Sequence, residues 1–341
     1  MKINIEDFLV LAESIPVIDV RSPSEFNHGH IPKAVNIPLF DDGERAAVGT
    51  LYKNEGRLPA IMEGLKRAGP NLSLKLDQAH KVAQHDKLLV HCWRGGMRSE
   101  AMAWLFSLGG IETKVLEGGY RSYRHHVLER LSEKRKMIVL GGMTGSSKTH
   151  ILRYLREEGQ QVIDLEALAS HKGSAFGSLG QMPQPSTEHF SNLLFDEMRL
   201  ISKKESFWVE DESRNIGTVF MPGSFYQNMQ ETPAIILMMD VKIRLPRLLK
   251  EYSAFPAESL KASVIKISKR IGGDNTRDAI EAIDTGNFGR AIEITLGYYD
   301  KAYAFGLKKK ASRNIVIVKT DTDDIVVNSR KVLEAAAGIR W

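Results

Sequence analysis

The chain has 341 residues, of which 43% are hydrophobic and 26% charged, so its length predicts about two domains with sizeable cores. Its one cysteine excludes an internal disulfide and a multi-cysteine zinc cluster, and the net charge of +5 permits a polyanionic partner without requiring one. Because no apolar run reaches the roughly 18 residues of a membrane span and the N-terminus has no signal-peptide pattern, we expect a cytoplasmic protein with no membrane partner.

Apolar runs separated by helical patterns organise the first part of the chain. Helical periodicity appears at residues 58–68 and 97–108. The apolar runs that suit buried strands lie at residues 16–20, 34–37, 87–91 and 113–116. Strands that alternate with helices predict a parallel or mainly parallel sheet.

The charged stretch ERLSEKRK at 129–136 then separates a second alternation of strands and helices from the first. A last helix is predicted near 323–337. The second set of predicted strands lies near 137–141, 161–164, 207–210, 234–240 and 314–319. We therefore predict an α/β protein with one domain at 1–133 and a second at 134–341.

The only cysteine lies in HCWRGGMRS, residues 91–99, between the predicted strand KLLVH and a predicted helix. Amides at a helix N-terminus bind anions, and Gly95 and Gly96 allow the backbone to curl around one. Arg94 and Arg98 add positive charge, which favours the nucleophilic thiolate form of Cys92. These three residues are the predicted catalytic groups. The alternative is an inert cysteine buried at a strand end.

A second glycine-rich turn, GGMTGSSKT at 141–149, also joins a predicted strand to a predicted helix. That context supports the pattern G-x-x-x-x-G-K-[ST], although Ser147 replaces the second glycine. Lys148 would reach phosphates and Thr149 would hold Mg²⁺. The alternative is a simple turn before a basic helix. The candidate phosphate-binding residues are Gly142, Thr144, Gly145, Ser146, Ser147, Lys148 and Thr149.

Acidic residues follow two of the predicted strands of the second domain. Asp164 ends one of them, and Glu210 ends another and is followed by Asp211 and Glu212. Carboxylates at strand ends near a phosphate loop commonly hold Mg²⁺, so Thr149, Asp164 and Glu210 are the predicted metal ligands. The alternative role for these acids is to form turns. The segment 171–186 is either a loop over the site or an ordinary surface loop.

One stretch is markedly basic. Residues 242–270 contain eight Lys or Arg residues, among them Arg244 and Arg247, against two Glu. With Tyr252 and Phe255 interleaved, this stretch is a candidate RNA-binding region, and a solvated helix face is the simpler interpretation. The aromatic segment GYYDKAYAF at 297–305 is interpreted as core rather than as a stacking platform.

The segment VIDVRSPSEFNHGHIPKAVNIPLF at 17–40, together with the cysteine loop, resembles a rhodanese domain. This resemblance implies a cysteine that carries sulfur or selenium, and it aligns Asp19 and Arg21 with a D-x-R motif of that family. The loop from Cys92 to Arg98 is one residue longer than many rhodanese loops. The spacing H-C-x₅-R-S is also the signature of cysteine phosphatases, which keeps a phosphatase in consideration.

The order of these motifs, with DDGERAAVGTLYKNEGRLPAI, DLEALASHKGSAFG and VEDESRNIG, resembles the bacterial tRNA 2-selenouridine synthase family over nearly the whole chain. The resemblance implies replacement of sulfur by selenium in wobble 2-thiouridine of tRNA. It also implies the co-substrates selenophosphate and geranyl diphosphate, is compatible with Mg²⁺, and allows an enzyme that supplies selenophosphate as a partner. We assign the diphosphate to Gly142–Thr149, and selenium delivery to Cys92 with Arg94 and Arg98.

Two alternatives from other functional classes remain. One is a cysteine-dependent phosphatase fused to an NTP-dependent kinase. The other is a tRNA-binding module whose phosphate loop is degenerate. Release of phosphate from an aryl phosphate would support the phosphatase, and turnover of nucleotide without a tRNA product would support the kinase.

Overall fold

A computed structural model describes residues 1–309 and 314–339; residues 310–313 and 340–341, which fall in the predicted second domain, lie outside the described residues. The chain divides into two compact units. The first comprises Met1–Arg130 and Ser191–Leu193, and the second comprises Leu131–Phe190 and Leu194–Trp341. Within the described residues, no helix combines the length and the apolar composition needed to cross a bilayer.

The first part of the chain alternates strands with helices, as its apolar runs predict. A short 3₁₀ helix, Gly69–Asn71, lies between the fourth and fifth helices. The strands are β1 Lys2–Ile3, β2 Val17–Asp19, β3 Val35–Asn36, β4 Lys87–His91 and β5 Glu112–Leu116. The helices are α1 Ile5–Leu11, α2 Pro23–His28, α3 Asp42–Asn54, α4 Arg57–Ala68, α5 Leu72–Val82, α6 Met97–Leu108 and α7 Gly119–Ser132.

The first sheet has the order β1-β5-β4-β2-β3, and all of its strands are parallel. The parallel sheet predicted for this part is confirmed. Val90 of β4 and Phe106 of α6 belong to one buried core. The register pairs Asp19 with His91, so both residues lie at the carboxyl ends of neighbouring strands. In parallel α/β sheets this edge is where ligands bind, and the Cys92 loop begins there.

The second part continues the alternation and adds a group of helices before its last strand. Its strands are β6 Met137–Gly142, β7 Phe207–Glu210, β8 Asn215–Ile216, β9 Val219–Phe220, β10 Ala234–Met239 and β11 Ile315–Thr320. Its helices are α8 Lys148–Glu157, α9 Leu165–Ala169, α10 Thr187–Leu200, α11 Gly223–Glu231, α12 Val241–Tyr252, α13 Ala257–Lys266, α14 Ser268–Ile271, α15 Gly273–Asp284, α16 Phe288–Lys309 and α17 Ile325–Ala337.

The second sheet has the order β11-β10-β6-β7 and is also parallel, while β8 and β9 form a separate antiparallel pair. Strand β6 is buried along its whole length, which explains its continuous apolar sequence. The register places Gly142 opposite Leu237 and Leu140 opposite Glu210. The phosphate loop and the acidic segment therefore leave neighbouring strands at the same edge of the sheet.

The predicted strand at 161–164 is wrong. Only Val162 pairs, in a single bridge with Trp208. Asp164 ends the pairing because its side chain accepts a hydrogen bond from the amide of Ala167 at 2.8 Å and caps α9. The apolar run VID was too short to distinguish a strand from a buried segment that leads into a helix.

The basic stretch 242–270 is not one continuous helix but three, α12, α13 and α14. Pro256 precedes α13 and cannot continue the preceding helix. Tyr252 and Phe255 are half-buried and pack against the core formed by the helices around them, so only part of each ring is exposed. The segment 297–305 lies in α16, where Tyr298 and Tyr299 pack against the same core.

Candidate functional site

Cys92 lies at the point where β4 ends and the loop to α6 begins. Its side chain is 3% exposed, and its Sγ lies 3.2 Å from the Oγ of Ser99, which is fully buried. The Ser99 hydroxyl donates to the Gly96 carbonyl at 2.9 Å. The thiol is therefore held against the first turn of α6, where free backbone amides and the helix dipole favour negative charge.

The backbone of this loop is locked to the turn between β5 and α7. Gly95 has φ +63°, and a Cβ atom there would lie 2.4 Å from the Leu116 carbonyl oxygen. Gly119, in the opposing turn, has φ +61°, and its Cβ would lie 2.4 Å from the Cys92 carbonyl oxygen. That carbonyl accepts a hydrogen bond from the Tyr120 amide at 2.8 Å. Both turns need glycine because their backbones touch.

The two arginines predicted to act with Cys92 differ in their surroundings. Arg94 is exposed, whereas Arg98 donates from Nη1 to Oε2 of Glu25 at 2.7 Å. Arg45 approaches the same oxygen with its Nε at 3.7 Å. Burial opposes the ionisation of Glu25, but the hydrogen bond and charge of Arg98 hold its pKa below the ordinary value. Glu25 is therefore an anion already paired with the predicted anion-binding arginine.

The D-x-R motif forms a buried ion pair behind the loop. Arg21 donates from Nε to both carboxylate oxygens of Asp19, at 3.0 and 2.9 Å. Its Nη2 donates to Oδ2 of Asp19 at 2.6 Å and to the Gly29 carbonyl at 2.7 Å. Its guanidinium lies 3.8 Å from the centre of the Tyr120 ring. Burial lowers the pKa of the adjacent His91, which is therefore neutral. This group supports the loop and does not line its cavity.

The Cys92 loop lines a cavity of about 770 Å³. Cys92, Arg94 and Arg98 all line it, so the structure brings the three predicted catalytic residues together. Glu25 and Arg45, which the sequence analysis did not identify, line it as well. The pattern Ser22-x-x-Glu25 was readable as a helix start, and Glu25 does accept from the Ser22 amide. The pairing of Glu25 with Arg98 in the cavity arises only on folding and had no sequence signal.

The glycine-rich turn after β6 has the conformation that its pattern requires. Ser147 caps α8 with φ +68° and ψ +18°, the left-handed conformation that glycine adopts without strain. Its Oγ and that of Ser146 are buried without hydrogen-bond partners among the described residues. Lys148 donates from Nζ to the Gly142 carbonyl at 2.8 Å. The serine therefore preserves the turn at a cost in backbone strain.

Arg244 supports this turn from α12. It is 1% exposed, and it donates to the Thr144 carbonyl at 2.8 Å and the Met239 carbonyl at 3.0 Å. It also donates to both carboxylate oxygens of Asp300, at 3.0 and 2.6 Å. Because Arg244 is buried, its predicted contribution to an RNA-binding surface is wrong. Its contact with the loop had no local sequence signal, because 100 residues separate Arg244 from Thr144.

The acidic side chains near the turn are arranged differently from the predicted metal site. Thr149 donates from Oγ1 to Oε2 of Glu166 at 3.0 Å, and Asp164 caps α9. Glu210 is fully buried, with Oε2 accepting from the Glu166 amide at 3.4 Å and Oε1 without a partner among the described residues. Glu166 was not among the predicted site residues, although its place two residues after Asp164 was the available signal.

These carboxyl groups hold protons more tightly than isolated ones do. Burial, and then the neighbouring Glu166, raise the pKa of Glu212 to about 8 and that of Glu210 well above its ordinary value. Burial also raises the pKa of Glu166. The carboxylate oxygens of these residues are the hard ligands that Mg²⁺ prefers. However, no group of three or more His, Cys, Asp or Glu side chains within residues 1–309 and 314–339 is arranged to hold a metal ion.

Two different family models match the two parts of the chain, and curated relatives align over most of its length. Residues 135–334 match the model of the tRNA 2-selenouridine synthase AAA domain, and residues 5–126 match that of the rhodanese-like domain. A tRNA 2-selenouridine synthase from Bdellovibrio bacteriovorus is 38% identical over 250 residues, which cover 70% of this chain and 65% of that protein. One from Shewanella sediminis is 35% identical over 346 residues, which cover 90% of this chain and 91% of that protein.

Proposed function

Because the chain belongs to the tRNA 2-selenouridine synthase family, we propose that it replaces sulfur by selenium in wobble 2-thiouridine of tRNA. In this proposal selenophosphate is the selenium donor, and geranyl diphosphate first converts the sulfur into an S-geranyl leaving group. The observation that carries the proposal is the presence of two glycine-rich turns, each between a parallel strand and a helix, one with a thiol and one with a lysine.

The turn at Gly142–Thr149 suits the diphosphate. Its amides open α8, where the helix dipole favours negative charge, and Lys148 supplies a cation within the turn. A diphosphate gains negative charge as it departs, so fixed donors and a cation lower the barrier to geranyl transfer. Mg²⁺ bound together with the diphosphate would neutralise part of that charge; Thr149 and its hydrogen-bond partner Glu166 would be its protein donors, with diphosphate oxygens and water as the others.

The cavity at Cys92 suits selenium delivery. Cys92 supplies a nucleophile for the phosphorus of selenophosphate: an S–P bond forms as the P–Se bond breaks, and water later hydrolyses the S–P bond. The released hydroselenide displaces geranyl thiol from the tRNA base, and Arg94 and Arg98 supply charge for the phosphate part of the donor. Binding of an anion at Arg98 competes with Glu25 for the same guanidinium. The selenium donor therefore binds at a site where Glu25 already balances part of the positive charge.

The test separates the two half-reactions by mass spectrometry of nucleosides from 2-thiouridine tRNA. Lys148→Ala should impair S-geranylation and largely spare selenation of tRNA that already carries the geranyl group. Cys92→Ala should abolish selenation while leaving geranylation and tRNA binding intact. Lys148→Arg and Cys92→Ser are the matched controls for charge and size. Equal loss of both half-reactions in Lys148→Ala, or unchanged selenation in Cys92→Ala, would contradict the assignment.

A cysteine-dependent phosphatase fused to an NTP-dependent kinase is the second candidate. It is favoured by the spacing from Cys92 to Arg98 and by the contact between Cys92 and Ser99, which folding places at a helix start. Hydrolysis of an aryl phosphate that is lost in Cys92→Ser would support it. An absence of such hydrolysis, together with a seleno-nucleoside product, would exclude it.

A further inference from the structure

The cavity at Cys92 is larger and more apolar than a tetrahedral oxyanion requires. Its volume of about 770 Å³ falls in the range of roughly 300–1,000 Å³ typical of cavities for organic ligands. Tyr52, Trp93 and Met97 form part of its lining. Tyr52 is 59% exposed and Met97 is 45% exposed, so both present apolar surface that a ligand would cover.

The charged side chains that line the cavity are suited to the phosphate backbone of a nucleic acid as well as to the selenium donor. Arg45, Arg94 and Arg98 line the cavity against one carboxylate, Glu25, which is hydrogen-bonded to Arg98. The Nε of Arg45 is shielded from solvent and lies 3.7 Å from Oε2 of Glu25, an ion pair without a hydrogen bond, so the Arg45 guanidinium is only weakly held by protein groups. Aromatic side chains interleaved with cations are the combination that proteins use to hold single-stranded nucleic acid.

The position of the thiol adds a geometric requirement. Cys92 is only 3% exposed, so an atom that receives selenium from this loop must enter the cavity. A base stacked within an RNA helix cannot do so, and enzymes that modify bases act on unstacked or extruded nucleotides. The cavity must therefore have room for a base as well as for the donor.

We propose that this cavity binds the target nucleotide of the RNA itself, with its pyrimidine base against Tyr52 and Trp93 and a flanking phosphate on Arg45. The proposal rests on the proposed function for the RNA substrate, and it goes further by locating the base on the first unit. The exposed cations of α13 and α14, Lys266, Lys269 and Arg270, would then serve only as general backbone contacts.

The test uses full-length protein and an anticodon stem-loop with 4-thiouridine at the wobble position, cross-linked by light and mapped by mass spectrometry. We expect the cross-link in peptides that contain Tyr52, Trp93 or Met97. Loss of one base–aromatic stack corresponds to a loss of about 5- to 150-fold in affinity, which is expected for Tyr52→Ala. Tyr52→Phe should retain the affinity. Trp104→Ala, which removes a 64% exposed aromatic residue of α6 outside the cavity lining, should leave it unchanged.

A cross-link found only in α13 or α14, or equal affinities for Tyr52→Ala and Trp104→Ala, would overturn the proposal. Its failure is distinguishable from failure of the proposed function. If seleno-nucleoside forms but the cross-link maps elsewhere, the cavity assignment is wrong and the function stands. If the cross-link maps to the cavity but no seleno-nucleoside forms, the function is wrong and the base-binding cavity stands.

Discussion

Arg244→Met tests whether the buried arginine of α12 positions the phosphate loop. The substitution preserves most of the side-chain volume and removes the donors to Thr144, Met239 and Asp300. Breaking a buried ion pair costs about 3–5 kcal/mol, but the Asp300 side chain is 25% exposed and regains water, so we expect about 3 kcal/mol. At about 2–4 °C per kcal/mol for a unit of this size, Tm falls by about 6–12 °C.

The assay pairs thermal denaturation with calorimetric titration of geranyl diphosphate at a temperature where the variant is folded. Affinity should fall because the Thr144 carbonyl is no longer fixed and the loop samples other conformations. Arg247→Met is the matched control, since Arg247 pairs with the exposed Asp323 and should contribute less than about 1 kcal/mol. Equal Tm values for the two variants, or an unchanged diphosphate affinity in Arg244→Met, would refute the reasoning.

Three further predictions concern the two loops and the acidic cluster. Ser147→Gly removes left-handed strain and should raise the free energy of unfolding by about 1 kcal/mol in denaturant titrations; a decrease would show that the serine side chain stabilises the turn. Gly95→Ala places a Cβ against the Leu116 carbonyl and should cost about 1–3 kcal/mol, whereas Gly96→Ala, at φ −109° with open space around it, should cost less; equal costs would contradict the close approach. Because folding raises the pKa of Glu212 from 4.5 to about 8, the folded state binds more protons between those values, and Tm should fall as pH rises through them. Glu212→Gln should flatten that part of the Tm profile, and an unchanged slope would assign it to other groups.

Local sequence signals predicted the elements and the turns. Helix α6 begins and ends where its periodicity predicts, and the apolar runs at 87–91 and 207–210 coincide with β4 and β7. Gly95 and Gly96 allowed the tight turn of the Cys92 loop to be predicted, because glycine is the residue that permits a close approach of two backbones. The positive φ of Ser147 was not readable from its own identity, and it followed only from the glycine that the pattern requires there.

The remaining features depend on contacts between residues distant in the chain. Arg244 was read as a surface charge because its neighbours are basic, yet Asp300 and the Thr144 carbonyl bury it. Glu25 reaches Arg98 across 73 positions of sequence. Neither pairing leaves a periodic or local signal, because it is set by how helices pack onto the sheets. These residues determine how the two loops are held, so the sequence indicated where the two loops lie and not how they are supported.

The contact between Gly95 and Gly119 has a consequence for how this family can vary. The two turns are in direct backbone contact, so neither can move without the other. A change of length in the β5–α7 turn would therefore displace the Cys92 carbonyl as directly as a change in the Cys92 loop itself. Length variation is tolerated where side chains or water can fill the space, and here neither fits. The Cys92 thiol is thus attached to a turn whose length is coupled to that of its neighbour, whereas Arg45 and Tyr52 line the same cavity from α3.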